Sequence, residues 1–156
     1  MRSRTEIKRG LLIPALVALS QFATAADTVS PDQRLETVRQ FLVAFNAHDT
    51  EAMLRMVTDD VQWLSVDGES IHLETGSKDA LRAGMTEYFE SCPSCKSRLG
   101  HHFATGARVT ALEIASNETS KGLREQQSIS VYEFSGALIR RVYYFPAERV
   151  EKPAPP

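Results

Sequence analysis

The second half of the chain is a nearly continuous series of strand-forming segments, and this feature restricts the fold more than any other. Apolar alternation and β-forming residues predict strands at Arg98 to Phe103, Arg108 to Ala115, Gln126 to Phe134 and Leu138 to Phe145. Ser135-Gly136 predicts a tight turn, and the polar stretch 116–122 predicts a loop. Strands joined by short connections pair antiparallel, so we expect an antiparallel sheet in this half.

The first half begins with a well-marked helix. Ser30 and Gln33 have the spacing of a capping box, and Pro31 suits the first helical position. Apolar side chains then recur at helical spacing, at Leu35, Val38, Phe41, Leu42 and Phe45. We therefore expect a helix with one apolar face that packs on the sheet.

The remaining elements of this half are a short second helix, a strand hairpin and a third helix. Asp49 or Thr50 can cap the second helix. Asp67-Gly68 predicts the hairpin turn, and Pro93 stops the third helix. The predicted segments are a second helix ending at Asp59-Asp60, strands Val61 to Val66 and Ser70 to Leu73, and a third helix opening at Gly76-Ser77.

This order of elements predicts an α+β fold in which a strongly bent antiparallel sheet wraps the helices and leaves a pocket at its open end. Four segments carry a family resemblance: Asn46-Ala47-His48-Asp49, Met53-Leu54, Asp59-Asp60-Val61-Gln62-Trp63 and Tyr132-Glu133-Phe134-Ser135-Gly136-Ala137-Leu138-Ile139. In order and spacing they resemble SnoaL-like and steroid isomerase-like domains of the nuclear transport factor 2-like superfamily. The resemblance spans residues 32–148 and implies a cone-shaped domain.

The first 25 residues have the pattern of a cleaved signal peptide. A basic opening precedes an uncharged apolar run from Leu11 to Ala23, and Ala23-Thr24-Ala25 supplies the small residues before a cleavage site. The run is short for a membrane span, which needs roughly 20 apolar residues, although an uncleaved anchor or a core helix is the alternative. We expect a periplasmic or secreted protein.

Removing this leader makes the remaining chain acidic. It takes away four of the 18 basic residues and one of the 20 acidic ones, which leaves a net charge of −5. A mildly acidic domain without a basic stripe is a poor partner for nucleic acid. We expect no cofactor and no membrane span after the leader, and the Pro-rich residues 149–156 are predicted to form a loose tail.

The resemblance also implies which catalytic groups are missing. In steroid isomerase-like members a carboxylate on the first strand abstracts a proton, and the matching position here is Ser65. Epoxide hydrolase-like members use two aspartates and an arginine, and the matching positions are Ser128, Ser130 and Tyr143. Neither family mechanism is therefore predicted, unless a carboxylate comes from elsewhere in the chain.

The predicted pocket is aromatic and contains a few hydroxyl groups. Its predicted lining is Phe41, Phe45, Trp63, Ser65, Met85, Phe89, Ser128, Ser130, Tyr132 and Tyr143. Such a lining suits a small apolar or aromatic molecule that is oriented by one or two hydrogen bonds. A register slip of one residue would turn Gln127, Ile129 and Val131 inward instead. In the expected register, Ile129 and Val131 lie on the outer sheet face and support a homodimer through the sheet.

Three functions are open at this point. The leading hypothesis is an exported domain that binds a small ligand. The alternative is an isomerase- or hydrolase-like enzyme with His101 or His102 as general base, since an imidazole has a pKa of about 6.5 and only one of two adjacent strand residues can face the pocket. Glu74 and Glu125 are further candidates for an acid. The third hypothesis is a non-catalytic interaction module whose own side chains fill the pocket.

The two cysteines are three residues apart, in Cys92-Pro93-Ser94-Cys95. In an exported chain this spacing favours a disulfide. A thioredoxin-like redox site is disfavoured because the pair follows a helix, where the dipole opposes a thiolate. A zinc site with His101 and His102 is disfavoured because adjacent strand residues face opposite ways, so we expect no metal.

Overall fold

The computed structural model describes residues 29–149, so the predicted leader and residues 150–156 of the predicted tail lie outside the described residues. The helices are α1 (Pro31–Asn46), α2 (Thr50–Arg55) and α3 (Lys78–Ser91). The strands are β1 (Val57–Asp67), β2 (Ser70–Thr75), β3 (Lys96–Thr105), β4 (Arg108–Thr119), β5 (Gly122–Ser135), β6 (Leu138–Tyr144) and β7 (Glu148–Arg149). None of the described helices has the length and apolar character needed to cross a membrane.

The predicted helix starts are confirmed by their caps. The Ser30 hydroxyl accepts a hydrogen bond from the Gln33 amide at 3.2 Å, and the Gln33 side chain accepts one from the Ser30 amide at 2.8 Å. At the start of α2 the Asp49 side chain accepts a hydrogen bond from the Ala52 amide, and at the start of α3 the Ser77 hydroxyl accepts one from the Ala80 amide. Each cap satisfies an amide that the first helical turn leaves unpaired.

Two predicted boundaries are wrong. Helix α2 ends at Arg55, and Asp59-Asp60, predicted to end that helix, lies within β1. The predicted loop at 116–122 is mostly strand, because β4 and β5 stay paired as far as Thr119 and Gly122. This end of the hairpin extends beyond the core, so its side chains are polar on both faces and its composition resembles that of a loop.

The strands form one curved, unclosed sheet in the order β2-β1-β6-β5-β4-β3, with β7 paired to β5. The sheet is mixed rather than wholly antiparallel as predicted, because β1 pairs with β6 in parallel. Helix α1 packs against β3 and β4, and α3 packs against β1 and β2. The predicted α+β class is confirmed.

The core lies between the helices and the concave face of the sheet. Its fully buried side chains include Val38, Phe41, Met53, Val57, Val61, Leu81, Val109, Tyr132, Ile139 and Val142. A charged residue is buried beside them: Arg34 on α1 is 4% exposed. Its guanidinium donates to the carbonyl of Gly106 at 2.7 Å and to that of Gly136 at 3.2 Å. One side chain thus joins α1 to the β3–β4 and β5–β6 turns.

The predicted disulfide is present and joins Cys92 to Cys95, with Cα atoms 5.4 Å apart. It lies directly after α3 and before β3, so it closes the turn between a helix and a strand. The Ser94 hydroxyl in this turn accepts a hydrogen bond from the Glu118 amide at 3.0 Å. The turn is therefore fixed both covalently and to the end of β4.

Replacing both cysteines with serine is expected to lower the free energy of unfolding by about 1–2 kcal/mol, since the loop closed by the disulfide is very short. Urea unfolding with and without dithiothreitol measures this difference. The reductant should destabilise the native protein and leave the double variant unchanged. Equal unfolding of the native protein in both buffers would contradict the prediction.

Candidate functional site

A half-open cavity of about 470 Å³ lies between the concave sheet face and the helices. Its walls come from all three helices and from six strands. The lining residues are Phe41, Leu42, Phe45, Met53, Trp63, Glu74, Thr75, Leu81, Gly84, Met85, Tyr88, Ser97, Glu113, Ala115, Gln126, Ser128, Ser130, Tyr132, Tyr144 and Ala147. Aromatic and aliphatic side chains predominate, and Phe41 stacks on Trp63 with ring centres 5.9 Å apart.

Seven residues of the predicted lining border this cavity: Phe41, Phe45, Trp63, Met85, Ser128, Ser130 and Tyr132. Three do not. Phe89 is buried behind the cavity wall, where it stacks on His48 at 4.3 Å. Ser65 lies beside the cavity and donates a hydrogen bond to Glu74 at 2.6 Å. Tyr143 is replaced in the lining by its neighbour Tyr144.

A bulge in β6 explains the exchange of Tyr143 for Tyr144. Next to the turn, Phe134 of β5 pairs with Ile139 of β6. One residue further from the turn, Glu133 of β5 pairs with Arg141, so β6 advances by two residues where β5 advances by one. One extra residue in β6 shifts every later pair and reverses the faces of the strand. Ser130 is consequently opposite Tyr144, and Tyr143 is opposite Val131.

Neither His101 nor His102 lines the cavity, which corrects their predicted place as pocket bases. A bulge in β3 lies between Leu99 and His102. The His102 ring donates from Nδ1 to the Gly100 carbonyl at 2.8 Å, and its Nε2 is 3.2 Å from the exposed guanidinium of Arg39. His102 is thus hydrogen-bonded on the outer side of α1, away from the cavity.

The cavity wall contains a half-buried carboxylate, Glu113, that was not among the site residues predicted from the sequence. Glu113 Oε1 accepts a hydrogen bond from the Tyr132 hydroxyl at 2.5 Å, and its Oε2 accepts one from the Ser97 hydroxyl at 3.1 Å. Tyr132 is 1% exposed. Burial, followed by the charge of Glu113 and their hydrogen bond, raises the pKa of Tyr132 well above its usual value. The phenol therefore stays protonated and donates to the carboxylate.

A second carboxylate, Glu74 on β2, lies on the solvent side of the cavity. It accepts the hydrogen bond from Ser65, and Tyr144 lies beside both residues. Burial, and next the charge of Glu74, raise the pKa of Tyr144. Glu74 was among the acids considered from the sequence. The other candidate acid, Glu125, does not line the cavity. Its carboxylate lies 3.5 Å from the guanidinium of Arg98.

These polar groups can accept hydrogen bonds and exchange a proton with a bound molecule. Among residues 29–149, no group of three or more His, Cys, Asp and Glu side chains is placed to hold a metal ion. Both cysteine sulfurs are joined in the disulfide. The polar side chains of the cavity wall supply carboxylates, phenols, hydroxyls and the amide of Gln126.

The raised pKa of Tyr132 predicts a loss of stability in alkali. An unfolded tyrosine ionises near pH 10, whereas Tyr132 in the fold resists ionisation, so the stabilisation is complete below pH 10 and is lost as the pH rises towards the folded pKa. Urea unfolding at pH 8 and pH 10.5 measures this loss. The loss should be smaller in Tyr132→Phe, which keeps Tyr88 and Tyr144. An equal loss in both proteins would contradict the prediction.

Comparison with protein families places this chain in a known class of domain. Residues 38–142 match the sequence profile of the SnoaL-like domain family. The chain is a SnoaL-like domain. The predicted resemblance to this family, and through it to the nuclear transport factor 2-like superfamily, is confirmed.

Solved structures share the fold of this SnoaL-like domain. An uncharacterised cystatin-fold protein from Novosphingobium aromaticivorans is 22% identical with a TM-score of 0.62, covering 71% of this chain and 96% of its own. A candidate ketosteroid isomerase from Kribbella flavida is 14% identical with a TM-score of 0.62, covering 81% and 85%. AclR, a candidate hydroxylase from Streptomyces galilaeus, is 11% identical with a TM-score of 0.62, covering 77% and 81%.

At such low identities, the structural similarity shows the fold of the SnoaL-like domain and nothing about its ligand. The search of functionally curated proteins gave no match.

Proposed function

We propose that this SnoaL-like domain binds a small, mostly apolar molecule that contains a ring. The observation that carries the proposal is the half-open, largely aromatic cavity of about 470 Å³ with a few polar groups in its wall. Cavities of this size and composition bury most of a small molecule and orient it by a few hydrogen bonds.

The arrangement of side chains supports a flat or ring-shaped occupant. Phe41, which is 1% exposed, stacks at 26° on Trp63 and so fixes the tryptophan ring that borders the cavity. Met85 on α3 adds a polarisable side chain that adapts to irregular shapes. The Ser130 hydroxyl of β5 is available to orient a polar group, whereas the Ser128 hydroxyl already donates to the carbonyl of Phe145 at 2.5 Å. The Kribbella flavida relative, named as a candidate ketosteroid isomerase, is a precedent for a ring-containing ligand in this fold.

Native mass spectrometry of the protein, purified without reductant, tests the proposal. The expected result is a protein with extra mass that is released on denaturation and whose fragments identify an apolar compound. Titration with N-phenyl-1-naphthylamine, an apolar dye that is uncharged at neutral pH, provides a second readout through dye fluorescence. Absence of extra mass together with no dye binding would refute ligand binding and favour an interaction module.

We also propose that the domain works outside the cytoplasm. The Cys92–Cys95 disulfide supports this location, because such bonds persist in oxidising compartments. The test is the redox state of the cysteines in the exported and the cytosolic fractions of the producing cell, trapped with a thiol reagent. Oxidised protein in the exported fraction is expected; protein found reduced and only in the cytosol would refute the location.

A homodimer through the outer sheet face is the third part of the proposal. Ile129 is 50% exposed on this face, and Val131 and Tyr143 pair beside it. Glu133 is paired with Arg108 and Arg141, so charges of both signs lie next to the apolar residues. Such a face is self-complementary, as a two-fold interface requires.

Replacing Ile129 with Glu is expected to convert the dimer to a monomer, because it places two like charges in the contact. Sedimentation velocity at several concentrations measures the change. Val43→Glu, at a 68% exposed position of α1, is the control and should stay dimeric. A monomeric native protein, or a dimeric Ile129→Glu, would exclude this interface.

A further inference from the structure

The charged groups of the cavity wall are all of one sign. Its lining includes two carboxylates, Glu74 and Glu113, and among the described residues it includes no lysine, arginine or histidine. Two arginines on β6 are engaged elsewhere: Arg140 pairs with Asp60 at 3.3 Å, and Arg141 donates to Gln62 at 2.7 Å. A ligand that brings its own positive charge would therefore meet no like charge on these walls.

Glu113 is hydrogen-bonded as an ionised carboxylate is. Both of its oxygens accept, one from Tyr132 and one from Ser97. An ionised carboxylate has about four acceptor sites, so two donors leave roughly half of its capacity for a bound molecule. Because the group lies in an apolar wall, a further charge-assisted hydrogen bond there is stronger than one in water.

A hydroxyl group in the same wall also lacks a partner. Ser130 is 4% exposed, borders the cavity, and its hydroxyl makes no hydrogen bond within residues 29–149. Polar groups this deep in a protein are seldom left unpaired, so the Ser130 hydroxyl points to a polar group on the occupant.

Aromatic rings complete the arrangement. Phe41, Trp63, Tyr88 and Tyr144 line the cavity together with the two carboxylates. The negative faces of such rings attract cations, and tryptophan attracts them most strongly. A cavity that combines aromatic faces, ionised carboxylates and no basic group selects for a cation with an apolar body.

We propose that the natural occupant of the cavity is a hydrophobic amine: a ring-containing apolar molecule whose protonated nitrogen is held by Glu113, with Glu74 nearer the opening. This inference rests on the proposed ligand-binding function and specifies the chemical class of that ligand. The ring occupies the aromatic part of the cavity. The N–H groups donate to the free acceptor sites of Glu113 and to the hydroxyl oxygen of Ser130.

Three probes with one common ring test the inference. They are 1-adamantanemethylamine, 1-adamantanemethanol and 1-adamantanecarboxylate, which at pH 7 are a cation, a neutral molecule and an anion. Each competes with N-phenyl-1-naphthylamine for the full-length protein. The amine is expected to displace the dye at a concentration roughly tenfold lower than the alcohol, and the carboxylate is expected to be weakest.

Two matched variants test whether Glu113 causes the preference for the amine over the alcohol. Glu113→Gln keeps the shape of the side chain and removes its charge, so the ratio of alcohol to amine affinity should fall to about one. Glu118→Gln removes the same charge from an exposed position of the same strand that does not line the cavity, and should keep the native ratio. If Glu113→Gln does not fold, the ratio of alcohol to amine affinity is measured in Glu74→Gln instead. That ratio and the order of the three probes on the native protein then decide whether the cavity prefers an amine.

The outcomes separate this inference from the proposed function. Dye binding with equal displacement by amine and alcohol, or an unchanged ratio in Glu113→Gln, would overturn the amine and leave an apolar binding domain. Binding of neither the dye nor any adamantane probe would overturn both. A ratio of roughly ten that is lost in Glu113→Gln and kept in Glu118→Gln supports the amine.

Discussion

Replacing Arg34 with methionine is expected to lower the free energy of unfolding by roughly 3 kcal/mol. Methionine fills a similar volume but donates no hydrogen bond. The carbonyls of Gly106 and Gly136 would each lose the charged donor that the guanidinium supplies. Since these carbonyls belong to two different hairpin turns, both turns should loosen from α1.

Urea unfolding followed by circular dichroism measures the loss. Arg39→Met is the matched control, because Arg39 lies five residues along the same helix with its side chain 49% exposed. Its loss should stay within about 0.5 kcal/mol, as is usual for surface positions. If both substitutions lower the free energy of unfolding equally, the loss of any arginine from α1 would explain the effect. The hydrogen bonds of Arg34 to the two turns would then not be its cause.

Replacing Trp63 with alanine is expected to weaken binding of N-phenyl-1-naphthylamine roughly 30-fold, which is about 2 kcal/mol. Trp63 is the single tryptophan of the chain and forms the β1 wall of the cavity. Its loss removes the stacking partner of Phe41 and a large apolar surface from the contact. Fluorescence titration of the dye measures the change in affinity.

Phe103→Ala is the matched control for this substitution. Phe103 is 61% exposed and does not line the cavity, so its ring should contribute nothing to dye binding. Circular dichroism of both variants checks that the fold is intact. A dye affinity that Trp63→Ala leaves unchanged would place the bound dye outside the cavity and remove the main support for the binding function.

The elements that sequence predicted correctly are those specified by neighbouring residues. Ser30, Asp49 and Ser77 start helices through hydrogen bonds to amides three residues away, and such patterns are legible in sequence. The alternation of side chains along a strand predicts which of them face the cavity only as far as the first bulge. Because the extra residue of β6 reverses every later position, Tyr143 was assigned to the cavity in place of Tyr144.

A glycine, Gly100, lies at the bulge in β3. A side chain at Gly100 would come within 3.0 Å of the Leu112 carbonyl oxygen, so glycine permits the close approach of the strands there. The extra residue alters which side chains of β3 face α1, and it leaves His102 beside Arg39. Long-range strand contacts of this kind cannot be read from local spacing.

Glu113 could have been found from the sequence. Val109 and Ala111 are the inward residues of β4, and strict alternation places Glu113 on the same face. A charged residue in the apolar row of a strand is a stronger indication of a site than its position relative to a family motif.

The parallel pairing of β1 with β6 also has a consequence for how the chain is made. Trp63 pairs with Val142, so one wall of the cavity depends on a contact between residues about half the chain apart. During synthesis β1 emerges long before β6, and it must wait without this partner until the last hairpin is complete. Contacts of such high sequence separation slow folding and prolong the exposure of unpaired strands. Wherever the chain folds, β1 is therefore expected to stay unpaired along this edge until β6 has formed.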